Sequence, residues 1–306
     1  MARNGQTPDD VADDRRVVVV VGASSGIGRA CATRFARRGD RLVLAARGAD
    51  GLATAAAECR DAGAAAVEVV PTDVLDGDAV QELVIRATDA FGRLDVVVHT
   101  GNVMAYGHIE DVPARVFERV VDTSVHGTAN VARAVLPVMR RQEHGTLILV
   151  TSLLASVPVP NMGAYIAGKW GQDGLARVLQ LELRGAKGVK LCTVAPGAVD
   201  TPIFRRAANY AGFVGRPPPP VVSADRVAKA VARSADRPRK RRSVGPANGL
   251  VILGYRLLPP LYDRLVGPLA RLGTLSREPQ PPTDGNVFTP SRHTEAPPEG
   301  ELQGSR

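Results

Sequence analysis

The chain has 306 residues, 44% of them hydrophobic, with mean hydropathy near zero, enough for one large α/β domain or two small ones. Its three cysteines, Cys31, Cys59 and Cys192, lie far apart, which excludes a disulfide framework and zinc-site spacing and fits a reducing, cytoplasmic setting; no metal is expected. The net charge of +8 invites an anionic partner, but aromatics make up only 4% of the chain, too few for a base-stacking platform, so no nucleic acid is expected.

Residues 1–14 are polar, carry no apolar run of the signal-peptide kind, and read as a flexible N-terminus. Five valines, Val17 to Val21, form an unbroken β-branched run expected to be a central strand buried on both faces. It runs into Gly22, Ser24, Ser25, Gly26, Ile27 and Gly28, a GxxxGxG turn, and then a helical stretch to Arg38. Such a turn lets backbone approach a pyrophosphate that the helix N-terminus stabilises. A purely structural glycine turn is the competing account.

A second strand, Arg41 to Ala45, ends at Ala46-Arg47. In dinucleotide folds an acid here holds the ribose 2′-hydroxyl. Ala46 removes that acid and Arg47 offers a cation to a 2′-phosphate, which favours NADP(H), with NAD(H) as the alternative. The pattern then repeats: a helix over Gly51 to Gly63, a strand over Ala65 to Val70 closing at Asp73-Val74, a helix capped by Asp76 and running to Phe91, and a strand over Asp95 to His99. This alternation predicts a Rossmann-type, doubly wound parallel sheet in three α/β/α layers.

Ala114 to Gln142 is helical in pattern, with Pro137 expected to kink or shorten it. The next strand, Thr146 to Val150, delivers Ser152 to the sheet edge where ligands bind in open α/β folds. Thirteen residues after Ser152 comes Tyr165, and four later Lys169, in a helix expected over Ala164 to Leu183. An i, i+4 pair shares one helix face, so phenol and ammonium can share a site, and a nearby cation favours the phenolate. The chain has 34 arginines and only 5 lysines, so a lysine at 169 reads as a chemical choice: an ammonium can share its proton where a guanidinium holds it. The bland account is a core tyrosine beside a surface lysine.

A further strand, Val189 to Val194, leads to Pro196, Gly197, Val199 and Thr201. Together these residues make the sequence resemble the short-chain dehydrogenase/reductase family, the branch with a GxxxGxG turn and a YxxxK site, over about residues 15–250. The resemblance implies that Tyr165 exchanges a proton with substrate oxygen and that Ser152 orients that oxygen. It implies that Lys169 binds the nicotinamide ribose and lowers the Tyr165 pKa, that Asp73 (with Val74 beside it) bonds adenine, and that the segment after Pro196 meets the carboxamide. It also implies a homodimer or homotetramer. Two positions depart from the family pattern. His99-Thr100-Gly101-Asn102 stands where an Asn-Asn-Ala-Gly stretch is usual; Gly101 still permits close backbone approach to the cofactor. Ser124 stands where an asparagine usually holds a relay water, so the proton relay is expected to be altered.

On the substrate side, Leu153, Leu154, Val157 to Pro160, Val103, Met104, Tyr106, Ile203, Phe204 and Phe213 favour a hydrophobic carbonyl or secondary alcohol, with a lid over about residues 200–222. Ordinary core packing is the competing account for several of them. Residues 251–273 read as an amphipathic helical extension carrying Arg256, Asp263, Arg264 and Arg271, which packs on the domain, on a partner subunit, or peripherally on a lipid surface. Residues 274–306, rich in proline, glycine and charge, are expected to be disordered. The reading is an NADP(H)-dependent oxidoreductase with Tyr165 as general acid/base. Its rivals are a catalytically weakened nucleotide-binding scaffold and a membrane-surface regulator.

Overall fold

The computed structural model describes residues 15–290. Seven strands form one parallel sheet: β1 (Val17–Val21), β2 (Arg41–Ala46), β3 (Ala66–Pro71), β4 (Val96–His99), β5 (Gly145–Val150), β6 (Val189–Pro196) and β7 (Arg241–Val244). Their order across the sheet is β7-β6-β5-β4-β1-β2-β3, and every pairing is parallel. The order reverses between β1 and β4, which opens a crevice at the carboxyl ends of those strands. The expected doubly wound, three-layer fold is what the chain adopts.

Strand residues alternate between the two faces, and both faces are covered. Val18, Val20, Leu42, Leu44, Ile148 and Val194 pack against α1 (Gly26–Ala36), α2 (Ala49–Asp61) and α6 (Ala224–Asp236) through Phe35, Leu52 and Val231. Val19, Val21, Val43, Val97, Leu147 and Leu191 pack against α3 (Gly77–Phe91), α4 (Ala114–Gln142) and α5 (Gly163–Glu182) through Leu83, Val135 and Ala176. The five valines of β1 are at most 2% exposed, as their β-branched run requires. Asp76 caps α3 as expected, its carboxylate accepting from the N–H of Asp78 and Ala79 at 3.0 Å each. Pro137 does not shorten α4, which continues to Gln142.

Two helices follow the sheet: α7 (Asn248–Leu257) and α8 (Pro259–Thr274). The first meets the domain through the buried Asn248, and the second through the buried Ala270 and Thr274 and through the Tyr262 hydroxyl, which donates to Pro158 O at 2.6 Å.

The expected disorder from residue 274 needs correction. Thr274 ends α8, and Leu275–Pro279 forms β8, antiparallel to a short strand at Phe213–Gly215. Residues 280–290 continue in defined contacts with the domain. Val287 is fully buried beside Val103, Val116 and Ala208. Asn209 and Thr283 exchange backbone hydrogen bonds at 2.8 and 3.0 Å, and Asn286 N–H donates to Arg206 O at 2.8 Å. Composition missed this because the buried apolar surface and the backbone partners are supplied by distant parts of the chain. The expectation for residues 1–14, and that for 291–306, fall outside the described residues.

Candidate active site

The carboxyl ends of the strands, joined by one face of α5, build the cleft. After β1 the chain turns through Gly22 to Gly28 into the N-terminus of α1. Gly22 has φ +90°, and a Cβ there would lie 2.5 Å from the Thr100 hydroxyl and 2.6 Å from Gly101 N. A Cβ on Gly28 would lie 2.0 Å from Gly22 O. Glycine is therefore required at both places, and the turn leaves a backbone-lined hollow at the first turn of α1. That hollow suits a pyrophosphate.

One cleft runs from this turn to the phenol. Gly22, Ser24, Ser25, Gly26, Ile27, Gly28, Arg47, Asp73, Val74, Gly101, Ser152, Tyr165, Lys169, Pro196, Gly197, Val199 and Thr201 all line it. Of the catalytic and cofactor-binding residues singled out from sequence, Ser124 alone is absent from its walls. It is sealed inside α4, where its hydroxyl hydrogen-bonds Asn102 Oδ1 at 3.1 Å and Val120 O at 3.2 Å. Thr123 and Asn102 stand at the wall instead.

At the tyrosine end, Tyr165 and Lys169 lie one helical turn apart on α5, the Lys169 Nζ 5.6 Å from the centre of the Tyr165 ring. Lys169 is 3% exposed, and burial alone pulls its pKa down to about 7. Its ammonium donates to Val150 O at 3.1 Å and to Gln172 Oε1 at 2.9 Å. Gln172 is held in turn by its own donation to the Thr128 hydroxyl at 2.8 Å, and that hydroxyl donates to Ser124 O at 2.7 Å. Gln172 and Thr128 were missed at the sequence level. The signal was present in the three-residue step from Lys169 to Gln172, which places both on one face of a helix.

The expectation that Lys169 lowers the Tyr165 pKa is corrected by the protein alone. Desolvation pushes the Tyr165 phenol up to about 12, opposed only by its hydrogen bond with Ser152. His99 is fully buried between these elements with neither ring nitrogen partnered, and burial together with the Lys169 charge drives its pKa to about 3. It is a neutral imidazole, filling the place where the family pattern has asparagine.

At the opposite end of the cleft, Asp73 accepts from Leu75 N–H at 3.0 Å and pairs with Arg119. Arg47 reaches back to the chain after β8: its guanidinium donates to Asn286 O at 2.6 Å and Val287 O at 2.9 Å. Asn286 and Pro290 belong to the cleft wall, a contribution that the sequence reading placed in disorder. On the substrate side, Val103, Met104, Leu153, Leu154, Val159, Ile203 and Phe204 line the cleft as expected. Tyr106 instead lies in the core at 0% exposure, and Phe213 is 41% exposed on its strand. The described residues contain no group of three or more metal-ligating side chains that could hold an ion.

The short chain dehydrogenase family model matches residues 16–210. A protein of Staphylococcus aureus (strain MRSA252) named as an uncharacterized oxidoreductase is 35% identical over 188 residues, covering 61% of this chain and 80% of its own length. Among solved structures, a short chain dehydrogenase/reductase from Burkholderia phymatum in complex with NAD superposes with a TM-score of 0.72 at 28% identity, over 81% of this chain and 95% of that one. An alcohol dehydrogenase from Thermococcus sibiricus complexed with 5-hydroxy-NADP gives 0.67 at 27% identity, over 76% and 96%. With a matching family model, a sheet of the same kind and a cleft that joins a glycine turn to a tyrosine-lysine pair, the chain belongs to the short chain dehydrogenase family and is an NAD(P)-dependent oxidoreductase.

Proposed function

We propose that the protein transfers hydride between NADP(H) and a hydrophobic carbonyl or secondary alcohol, with Tyr165 as the proton donor and acceptor. The observation that carries this reading is the convergence of Ser152, Tyr165 and Lys169 at one end of a cleft whose other end holds the glycine turn and Arg47. When bound, the cofactor supplies or accepts the hydride. Ser152 orients the substrate oxygen by hydrogen bonding, and Tyr165 gives that oxygen its proton as negative charge builds on it. Burial keeps the Tyr165 phenol protonated through the neutral range, so it has a proton to give when a carbonyl is reduced. Lys169, held against Val150 O and Gln172, sits at neutral pH near its own midpoint, where it can take up or release a proton. The apolar wall of Met104, Leu154, Val159, Ile203 and Phe204 favours a hydrophobic substrate.

The roles of Gly22 to Gly28, Asp73, Val74, Gly101, Pro196, Gly197, Val199 and Thr201 in holding the dinucleotide belong to the same reading, as does the preference for a 2′-phosphate through Arg47. Tyr165→Phe tests it. Turnover of a panel of aldehydes and ketones with NADPH should fall on the order of a hundredfold or more while NADPH binding is kept. Equal turnover by that variant sinks the mechanism, and binding without turnover by the wild type points to the nucleotide-binding scaffold instead.

A second property is favoured by one feature, the exposed leucines of α7 and α8. Leu250, Leu257, Leu269 and Leu272 are each more than 60% exposed, and Arg256, Arg264 and Arg271 share these helices with the single acid Asp263. We propose that this face rests on an anionic lipid surface, from which an apolar substrate would be drawn.

A further inference from the structure

The chain after β8 crosses the adenosine half of the cleft and is tied down on both sides. On the α4 side, the Asp284 carboxylate accepts from Arg115 Nη1 at 2.7 Å and Nη2 at 3.0 Å, and from the Tyr210 hydroxyl. On the β2 side, Pro290 packs over Gly48, where an added Cβ would lie 3.2 Å from its own Cβ. Between these two anchors the backbone of residues 286–288 turns its carbonyls onto Arg47. Nη2 of Arg47 donates to Asn286 O at 2.6 Å, and Nη1 donates to Val287 O at 2.9 Å and, more weakly, to Phe288 O at 3.3 Å. Both terminal nitrogens of Arg47 are thus already engaged. A fork-to-phosphate contact needs two N–H groups pointing the same way.

We propose that the carbonyls of residues 286–288 and a 2′-phosphate compete for Arg47, so that this strap sets how strongly the site discriminates 2′-phosphorylated from 2′-hydroxyl dinucleotides. The inference rests on the assignment of Arg47 to the 2′-phosphate in the proposed function. Hydrogen bonds from a guanidinium to a phosphate, charged on both sides, are stronger than those to a neutral carbonyl, so the phosphate wins the guanidinium and the strap lifts. A dinucleotide with a free 2′-hydroxyl has no such hold, and it binds beneath a closed strap. Lifting the strap costs whatever the Asp284 clasp and the buried Val287 contribute, and that cost is subtracted from the gain of binding the phosphate. Loosening the clasp therefore raises discrimination.

The experiment measures binding of adenosine 2′,5′-bisphosphate and of adenosine 5′-monophosphate to the full chain by calorimetry. It compares wild type, Asp284→Asn, Arg115→Ala and Arg47→Ala, and follows amide hydrogen exchange over residues 280–290. In wild type the bisphosphate should speed exchange in the strap and the monophosphate should leave it unchanged. Either clasp variant should raise the ratio of the two affinities about threefold to fivefold, the scale of one partly exposed ion pair. Arg47→Ala should bring that ratio close to one. If Arg47→Ala collapses the ratio but the clasp variants leave it and the strap exchange unmoved, the strap proposal is overturned and the cofactor reading stands. Slower strap exchange with the bisphosphate overturns it equally, since the strap would then grip the ligand. A ratio untouched by Arg47→Ala overturns the cofactor reading and the strap together.

Discussion

Lys169 sets the electrostatic character of the site at the scale of single residues. Its ammonium is buried with two neutral oxygens and no carboxylate, and its pKa falls to about 7 against an ordinary value of 10.5. The consequence for stability follows from proton counting. Between pH 7 and 10.5 the unfolded chain holds a proton on Lys169 that the folded chain has given up, so stability rises with pH through that window. Below about pH 7 both states are charged and the full desolvation penalty is present. Lys169→Met removes the penalty and its titration. Its unfolding free energy relative to wild type should therefore be most favourable below pH 7 and lose ground steadily towards pH 10, while turnover is abolished. Denaturant titrations across pH check this, and a pH-independent difference between the two proteins would falsify the buried-charge assignment. The tyrosine, lysine and serine were legible in the sequence because their spacing is local. Gln172, three residues further along, was overlooked because a glutamine on a helix face acquires meaning only once Thr128 of another helix is seen to hold it.

Helix ends and turns carry the next level of organisation. The turn from β1 into α1 and the cap of α3 are both short-range devices, but they do different work. Gly28 is pressed against Gly22 O, so Gly28→Ala must open the turn, which in the proposed function holds the pyrophosphate. Asp76 caps α3 away from the cleft, and loss of its two N–H contacts affects the helix alone. Asp76→Ala should cost about 1 kcal/mol of stability with dinucleotide affinity unchanged. Gly28→Ala should lower that affinity at least about tenfold, the effect of losing roughly 1.4 kcal/mol of binding free energy. Chemical denaturation alongside calorimetric titration separates the two, and an affinity unaltered by Gly28→Ala would remove the turn from the cofactor site. Both devices were readable in advance, because cap and glycine signals are written within four or five residues. The run of α4 through Pro137 was not, since packing along the buried face of that helix outweighs one missing backbone bond.

For the whole molecule, the two ends of the compact unit behave differently. The sheet and its six flanking helices bury their apolar faces against one another, whereas α7 and α8 leave theirs open. A like-charged second copy laid on this face would bring Arg256, Arg264 and Arg271 towards their own counterparts, whereas an anionic bilayer would pair with them. Among the described residues no helix is long and apolar enough to cross a membrane, so the contact would be along the surface. Flotation with vesicles containing phosphatidylserine should carry the full chain upward, and vesicles of phosphatidylcholine alone should carry much less. Leu257→Glu with Leu269→Glu should abolish flotation without changing stability, since both leucines are solvent-exposed. Retention of flotation in that double variant would reject the surface.

Periodicity, glycine placement and the tyrosine-lysine spacing were enough to determine the sheet, its parallel winding and which residues meet at its edge. Those properties depend on contacts within a strand-helix unit, which the order of residues expresses directly. What the tertiary structure alone decided is the fate of the cations and the tail. Arg47 found its partners some 240 residues away, and a proline-rich, polar segment became a wall of the cleft because Asp284 and Val287 met complementary groups brought there by the fold. Such long-range pairings leave no local pattern, since neither partner's neighbours in sequence need differ from those of a solvated loop.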